Sequence, residues 1–276
     1  MNVDRIAAFS DGATGGNPAG VVLCDTLPEA GAMQAVATEV GFSETAFAAP
    51  IEDGFRVRYF APAMEVPFCG HATIALGAVL ARRHGDGIFA LTLNDAKITV
   101  EGRRTGAVHA AALQSPSTRS SPVDDAVAAE ALKLFAYSRK DLDERLPPAF
   151  AEAGARHLVL ALSRRDALRD MRYDFEAGRK FMTDAGFTTA TLVHAETPQL
   201  FHVRNPFAAG GVYEDPATGA AAAAFAGYLR DRDWPHGGVI DLIQGEDMGM
   251  RSLLRAEITA EKGASIRVSG TARPMA

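Results

Sequence analysis

Residues 215–230 read DPATGAAAAAFAGYLR, and an upstream stretch, residues 67–83, reads PFCGHATIALGAVLARR. Each is a short polar knot ending in Ala-Thr or Thr-Gly, followed by small and apolar residues at helical spacing. A helix so poor in charge must be surrounded by protein on every side. The strand-like segments around the two stretches supply that cover. In the first half these are VDRIAAF, AGVVLC, TAFAAP, FRVRYFAP, FALTL, KITV and AVHAAAL. In FRVRYF the apolar Phe55, Val57 and Tyr59 alternate with Arg56 and Arg58, the period of a half-buried strand. A further helix is expected from about Pro28 to Val40.

The second half repeats the theme. Helical DDAVAAEALKLF and DFEAGRKFMTDAG, strand-like RHLVLAL, TATLVHA and LFHVR, and an apolar helix from about Ala217 to Arg230 precede closing strands GVIDLIQ, LLRAEIT and ASIRVSG. Residues 114–124, QSPSTRSSPVD, are rich in Ser, Thr and Pro and read as the linker between the halves. The expected architecture is an α+β protein of two similar domains, each a sheet wrapped around a central apolar helix.

The chain has 276 residues, 47% hydrophobic and 22% charged, enough for two ordinary domains. Its net charge of -6, with scattered Lys and Arg, gives no electrostatic footprint for nucleic acid. The start MNVDRIAAFSDGATGG carries Asp4 and Arg5 beside a short apolar run, unlike a signal peptide, and no apolar run elsewhere is long enough for a bilayer. A soluble cytoplasmic protein with no membrane partner is expected. Cys24 and Cys69 lack metal or framework spacing, so two free thiols and no metal are expected. GATGGNPAG, residues 12–20, has neither the lysine of a phosphate-binding loop nor the spacing of a dinucleotide fingerprint, and no G-x-S-x-G is present.

The helix starts are chemically suggestive. The first turn of a helix offers unpaired N–H groups and a partial positive charge, so Gly70-His71-Ala72-Thr73 and Ala217-Thr218-Gly219-Ala220 are both suited to hold an anion. Gly70, Ala72, Gly219 and Ala220 are small enough to let a ligand approach the backbone. A third element is GFSETAF, residues 41–47, where Glu44 lies between Phe42 and Phe47. Such a glutamate is either a surface turn carboxylate or a general base held in apolar surroundings. His71 alone reads equally as a satisfied core histidine, and Asp215 before Pro216 as a turn former or helix cap.

Taken in order, GNPAGVV (16–22), SETAF (43–47), MEVPFCGHAT (64–73), EDPATGA (214–220) and QGEDMG (244–249) resemble the PhzF-like isomerases of phenazine biosynthesis. That resemblance implies the two-domain fold of diaminopimelate epimerase: a barrel-like, mostly antiparallel sheet around each central helix. It places an N-terminal domain at residues 1–113, joined by a last strand at about 264–276, and a C-terminal domain at 114–263. It further implies a homodimer and an active site in the inter-domain cleft that uses no cofactor.

Glu44 is then the acid/base that moves a proton between carbons of a small carboxylic acid, with His71 and Asp215 polarising or anchoring the substrate. Asn17, Ser43, Gly70, Ala72 and Thr73 would bind substrate from the first half, and Thr218, Gly219 and Ala220 from the second. Ala220 stands where the family pattern has serine, so one substrate hydrogen bond is absent. Three alternatives stay open: a cysteine-dependent epimerase or racemase, for which only Cys69 offers a thiol here; a lyase or dehydratase on the same scaffold; and a non-catalytic binder of small carboxylates.

Overall fold

The computed structural model describes residues 1–106 and 108–275. Its chain divides into two compact units, one of residues Met1–Gln114 with the segment from Ser269 onward, the other Ser115–Val268.

The first unit contains β1 (Asp4–Ala8), β2 (Asn17–Leu23), α1 (Ala30–Val40), β3 (Thr45–Ile51), β4 (Gly54–Phe60), β5 (Glu65–Val66), α2 (Gly70–His84), β6 (Gly87–Thr92), β7 (Lys97–Thr105) and β8 (Val108–Gln114). The second contains β9 (Arg119–Pro122), α3 (Asp125–Leu134), β10 (Ala149–Glu152), β11 (Arg156–Ala161), α4 (Arg165–Arg169), α5 (Phe175–Asp184), β12 (Thr189–Ala195), β13 (Leu200–Arg204), β14 (Pro206–Phe207), β15 (Val212–Glu214), α6 (Gly219–Asp231), β16 (Val239–Gln244) and β17 (Ser252–Glu257). The final strand, β18 (Arg267–Pro274), begins in the second unit and ends in the first.

In the first unit the order is β1-β2-β3-β4-β6-β7-β8-β18, and β18 pairs back onto β1, so the sheet closes into a barrel. Its parallel pairs, β2 with β3 and β4 with β6, are each bridged by a helix, α1 and α2 respectively. The second unit runs β17-β16-β13-β12-β11-β10-β9 and repeats the plan. Here the parallel pairs are β11 with β12, bridged by α4 and α5, and β13 with β16, bridged by α6. Near the ends of this sheet, Ser115 N–H bonds Ile266 C=O at 2.9 Å and Thr118 N–H bonds Gly263 C=O at 3.0 Å.

The apolar helices hold the centres, as their composition requires. Every residue from Gly70 to Ala81 of α2 is buried, and so are Gly219 and all residues from Ala221 to Arg230 of α6. Only a glycine fits where α2 meets β7: a Cβ on Gly102 would stand 2.2 Å from the Gly77 carbonyl oxygen. The remaining helices cover the outer sheet faces. Met33 and Ala37 of α1 pack on Val22, Phe47 and Phe60. Phe181 and Met182 of α5, with Ala131 of α3 and Leu168 of α4, pack on Leu158, Leu160 and Leu192.

The stretch read as a plain linker contains a strand. β9 pairs antiparallel with β10, from Arg119 opposite Glu152 to Pro122 opposite Ala149. Its RSSP sequence lacks the apolar alternation of a half-buried strand, and its proline sits at the end, where an edge strand tolerates a missing N–H. Among the described residues no helix is long and apolar enough to cross a membrane.

Candidate active site

In the first unit, Gly41 ends α1 in the left-handed conformation (φ 71°) with its N–H on Ala37 C=O, and the chain turns through Ser43 and Glu44 into β3. Gly20 of β2 donates its N–H to the Glu44 carbonyl at 3.1 Å, which ties the turn to the barrel. The Glu44 side chain is only 12% exposed, and its Oε2 lies 3.4 Å from Nε2 of His71, itself 5% exposed. Ser43 Oγ lies 3.3 Å from the same nitrogen. The other ring nitrogen, Nδ1, is 3.3 Å from the buried free thiol of Cys69.

Below this group Thr73 is fully engaged. Its hydroxyl donates to the Cys69 carbonyl at 2.7 Å and so accepts from Tyr59, whose hydroxyl lies 2.7 Å away. Burial raises the Tyr59 pKa and keeps the phenol protonated. The first N–H groups of α2, ahead of Thr73, have no partner within the helix by construction. Gly70, His71 and Ala72 therefore form the start that the sequence marks for an anion.

Glu44, Cys69 and His71 each offer a ligand atom, and these atoms lie within 4.8 Å of one another, the one such group among the described residues. Both nitrogens of His71 already face partners, Cys69 on one side and Glu44 on the other. A single cation bound by all three side chains would have to displace one of those contacts.

The second unit builds its group around Asp215. β13 ends at Arg204, whose guanidinium forms a buried two-point pair with Glu214, Nε to Oε1 at 3.0 Å and Nη2 to Oε2. Arg204 Nη1 also donates to the Arg169 carbonyl at 2.8 Å. Burial opposes the Arg204 charge, but the hydrogen bonds to Glu214 more than offset it and raise the Arg204 pKa. Between these anchors Asp215 N–H bonds Asn205 C=O at 3.1 Å.

Thr218 Oγ1 donates to Asp215 Oδ2, and Asn205 Nδ2 approaches the same hydroxyl at 2.6 Å. Gln244, the last residue of β16, donates from Nε2 to Asp215 C=O at 2.7 Å and accepts Thr218 N–H on Oε1 at 3.2 Å. Gly245 follows at φ 74°, and a Cβ there would stand 2.7 Å from the Pro216 carbonyl oxygen, so the DPATG turn packs directly on this glycine.

The sequence-marked residues thus fall into two groups. Ser43, Glu44 and His71 meet in the first unit; Asp215 and Thr218 meet in the second. Asn17 is buried at the start of β2, opposite Ala8. The N–H and hydroxyl of Thr218 are both engaged inside its own unit, whereas Gly219 and Ala220 begin α6, with Ala220 partly exposed among buried neighbours. Sequence reasoning did not single out Asn205 or Gln244. Gln244 was visible only as the first letter of the QGEDMG stretch, and Asn205, before Pro206, looks like an ordinary turn former.

Comparison with known proteins places the chain in a family. The family model described as phenazine biosynthesis-like protein, PhzC-PhzF, matches residues 6–276. The chain is 34% identical to an uncharacterized isomerase of Mesorhizobium japonicum, covering 93% of this chain and 91% of the relative. It is 32% identical to the trans-2,3-dihydro-3-hydroxyanthranilate isomerase of Pseudomonas aeruginosa, covering 96% and 94%. In fold it is similar to a PhzF-family protein of Bacillus anthracis, with a TM-score of 0.87 at 21% identity over 100% of this chain and 98% of that one. A match along nearly the whole sequence, to relatives named as isomerases, places the chain in the phenazine biosynthesis-like (PhzF) family of isomerases.

Proposed function

We propose that this isomerase moves one proton between two carbons of a small carboxylic acid, and that Glu44 carries the proton. The observation that carries this reading is the Glu44 carboxylate itself: 12% exposed and 3.4 Å from Nε2 of His71, which lies in the first turn of a helix whose first N–H groups are suited to an anion. A pure anion-binding site gains nothing from a nearly buried carboxylate.

Glu44 takes a proton from a carbon made acidic by an adjacent unsaturated or carboxylic system. The C–H electron pair moves into that system, where N–H groups at the start of α2 stabilise the developing charge. Glu44, now a carboxylic acid, exchanges that proton with solvent and delivers one to a different carbon as the electrons shift back. Atoms and electrons balance without a cofactor. His71 faces the Glu44 carboxylate through Nε2 and holds it for the transfer, and Asp215 with the first turn of α6 is assigned to substrate binding.

The proximity of Cys69 Sγ to His71 Nδ1, 3.3 Å, favours a second reading, in which a thiol activated by the imidazole exchanges the proton as in an epimerase. The same experiment addresses both. The named substrate of the Pseudomonas aeruginosa relative, together with a panel of unsaturated carboxylic acids, is incubated with the protein in deuterated water and followed by NMR. Proton transfer between carbons gives a product of unchanged composition with the double bond moved and deuterium at the new C–H position. Deuterium at the original carbon with inverted configuration supports the epimerase. A dehydrated product, or binding without any exchange across the panel, contradicts the proposal.

A further inference from the structure

We propose that Thr218 is a positioning residue for Asp215: Asn205 and Gln244 both present N–H donors to the Thr218 hydroxyl, which commits its single proton to the Asp215 carboxylate and fixes that carboxylate's orientation. This deepens the functional reading of Asp215 and rests on it.

A hydroxyl has one proton to give and two lone pairs to receive with. Thr218 Oγ1 meets three groups: Asn205 Nδ2 at 2.6 Å, Gln244 Nε2 at 3.0 Å, and Asp215 Oδ2. Amide nitrogens only donate, so the two lone pairs are taken and the proton has one destination.

Both amides have one satisfied orientation. With the Thr218 proton on the Asp215 carboxylate, Thr218 can only accept from Asn205, so Nδ2 faces Thr218 and Oδ1 accepts from Thr189 Oγ1 at 3.1 Å and Thr191 Oγ1 at 3.0 Å. Gln244 Oε1 accepts Thr218 N–H at 3.2 Å while Nε2 donates to Asp215 C=O at 2.7 Å; turning the amide would set donor against donor and acceptor against acceptor.

The direction is set further back still. Thr189 gives its proton to Asn205 and therefore accepts from Nδ1–H of His157, 2.7 Å away. Burial lowers the His157 pKa to about 3, which keeps the ring neutral, and the bond to Thr189 selects the Nδ1–H tautomer. The donors thus all point one way, from His157 through Thr189, Asn205 and Thr218 to Asp215. His157, Thr189, Asn205 and Gln244 are each no more than 2% exposed, so water does not offer alternative partners.

The test uses protein labelled with 13C at aspartate carboxyls, with the Asp215 signal identified by its loss in Asp215→Asn. Thr218→Val keeps the shape and removes the hydroxyl, and the Asp215 carboxyl then titrates higher by roughly one pH unit, the loss of one hydrogen bond to the ionised form. Thr218→Ser restores the original midpoint. An unchanged midpoint in Thr218→Val, or no recovery in Thr218→Ser, overturns the proposal. The unaltered protein gives a readout that needs no variant: the Thr218 hydroxyl proton exchanges slowly with water and shows through-space contacts to the Asn205 and Gln244 amide protons, and a fast-exchanging hydroxyl contradicts the arrangement. Full turnover in Asp215→Asn would remove the functional reading while leaving the titration result standing, so the two fail separately.

Discussion

His71 Nε2 lies 3.4 Å from Glu44 Oε2, while the opposite ring nitrogen lies 3.3 Å from Cys69 Sγ. When Nε2 donates to the carboxylate, Nδ1 is left as the acceptor for the thiol. On the Glu44 reading, Cys69 holds the ring through this contact and does no proton transfer to substrate. Cys69→Ser supplies another donor and should keep turnover within roughly threefold, whereas Cys69→Ala leaves Nδ1 without its donor and should cost roughly tenfold, about one hydrogen bond's worth. A folded Cys69→Ser that has lost all exchange would hand the chemistry to the thiol.

The Arg204–Glu214 pair is a stability prediction. Both side chains are nearly inaccessible, 7% and 3% exposed, so removing one partner strands a charge. Glu214→Gln and Arg204→Met should each lower the unfolding free energy by about 3–5 kcal/mol in urea titrations. Replacing both together, Arg204→Met with Glu214→Leu, should cost much less than the sum. Singles that cost under about 1 kcal/mol would show that the pair is solvated.

His157 predicts a pH dependence. Its pKa falls from 6.5 to about 3 on folding because burial disfavours the charged ring. Below pH 6.5 the unfolded chain takes up a proton that the folded chain refuses, so this group lowers stability as pH falls from 6.5 towards 3, by up to about 1.4 kcal/mol per unit. Above 6.5 it has no effect. His157→Leu should lose that component, so the difference in stability between natural and variant protein should change between pH 7 and pH 5. A pH-independent difference would mean that the ring protonates in place.

Much of this was legible in the sequence because it rests on pattern. The runs Ile74–Ala81 and Ala221–Leu229 have almost no charge, and that alone demanded a surrounding sheet. His71 and Asp215 stood out as polar residues beside these helices, and Glu44 as a carboxyl between Phe42 and Phe47. β9 did not, because Arg119 to Pro122 has no apolar alternation and gains its place from β10 through backbone bonds that any sequence can make. The role of Asn205 and Gln244 was equally hidden. It arises from hydrogen-bond direction among residues up to 87 positions apart, from His157 to Gln244, which spacing does not encode.

The central claim is that Glu44 carries the proton, and solvent-deuterium incorporation by Glu44→Gln measures it most directly. Glutamine keeps size and hydrogen-bonding shape but cannot accept the proton, so exchange into a verified substrate should fall by roughly two to four orders of magnitude. Affinity for a carboxylate ligand should stay level or improve, since a negative charge leaves the site. Near-normal deuterium incorporation by a folded Glu44→Gln protein would contradict the account.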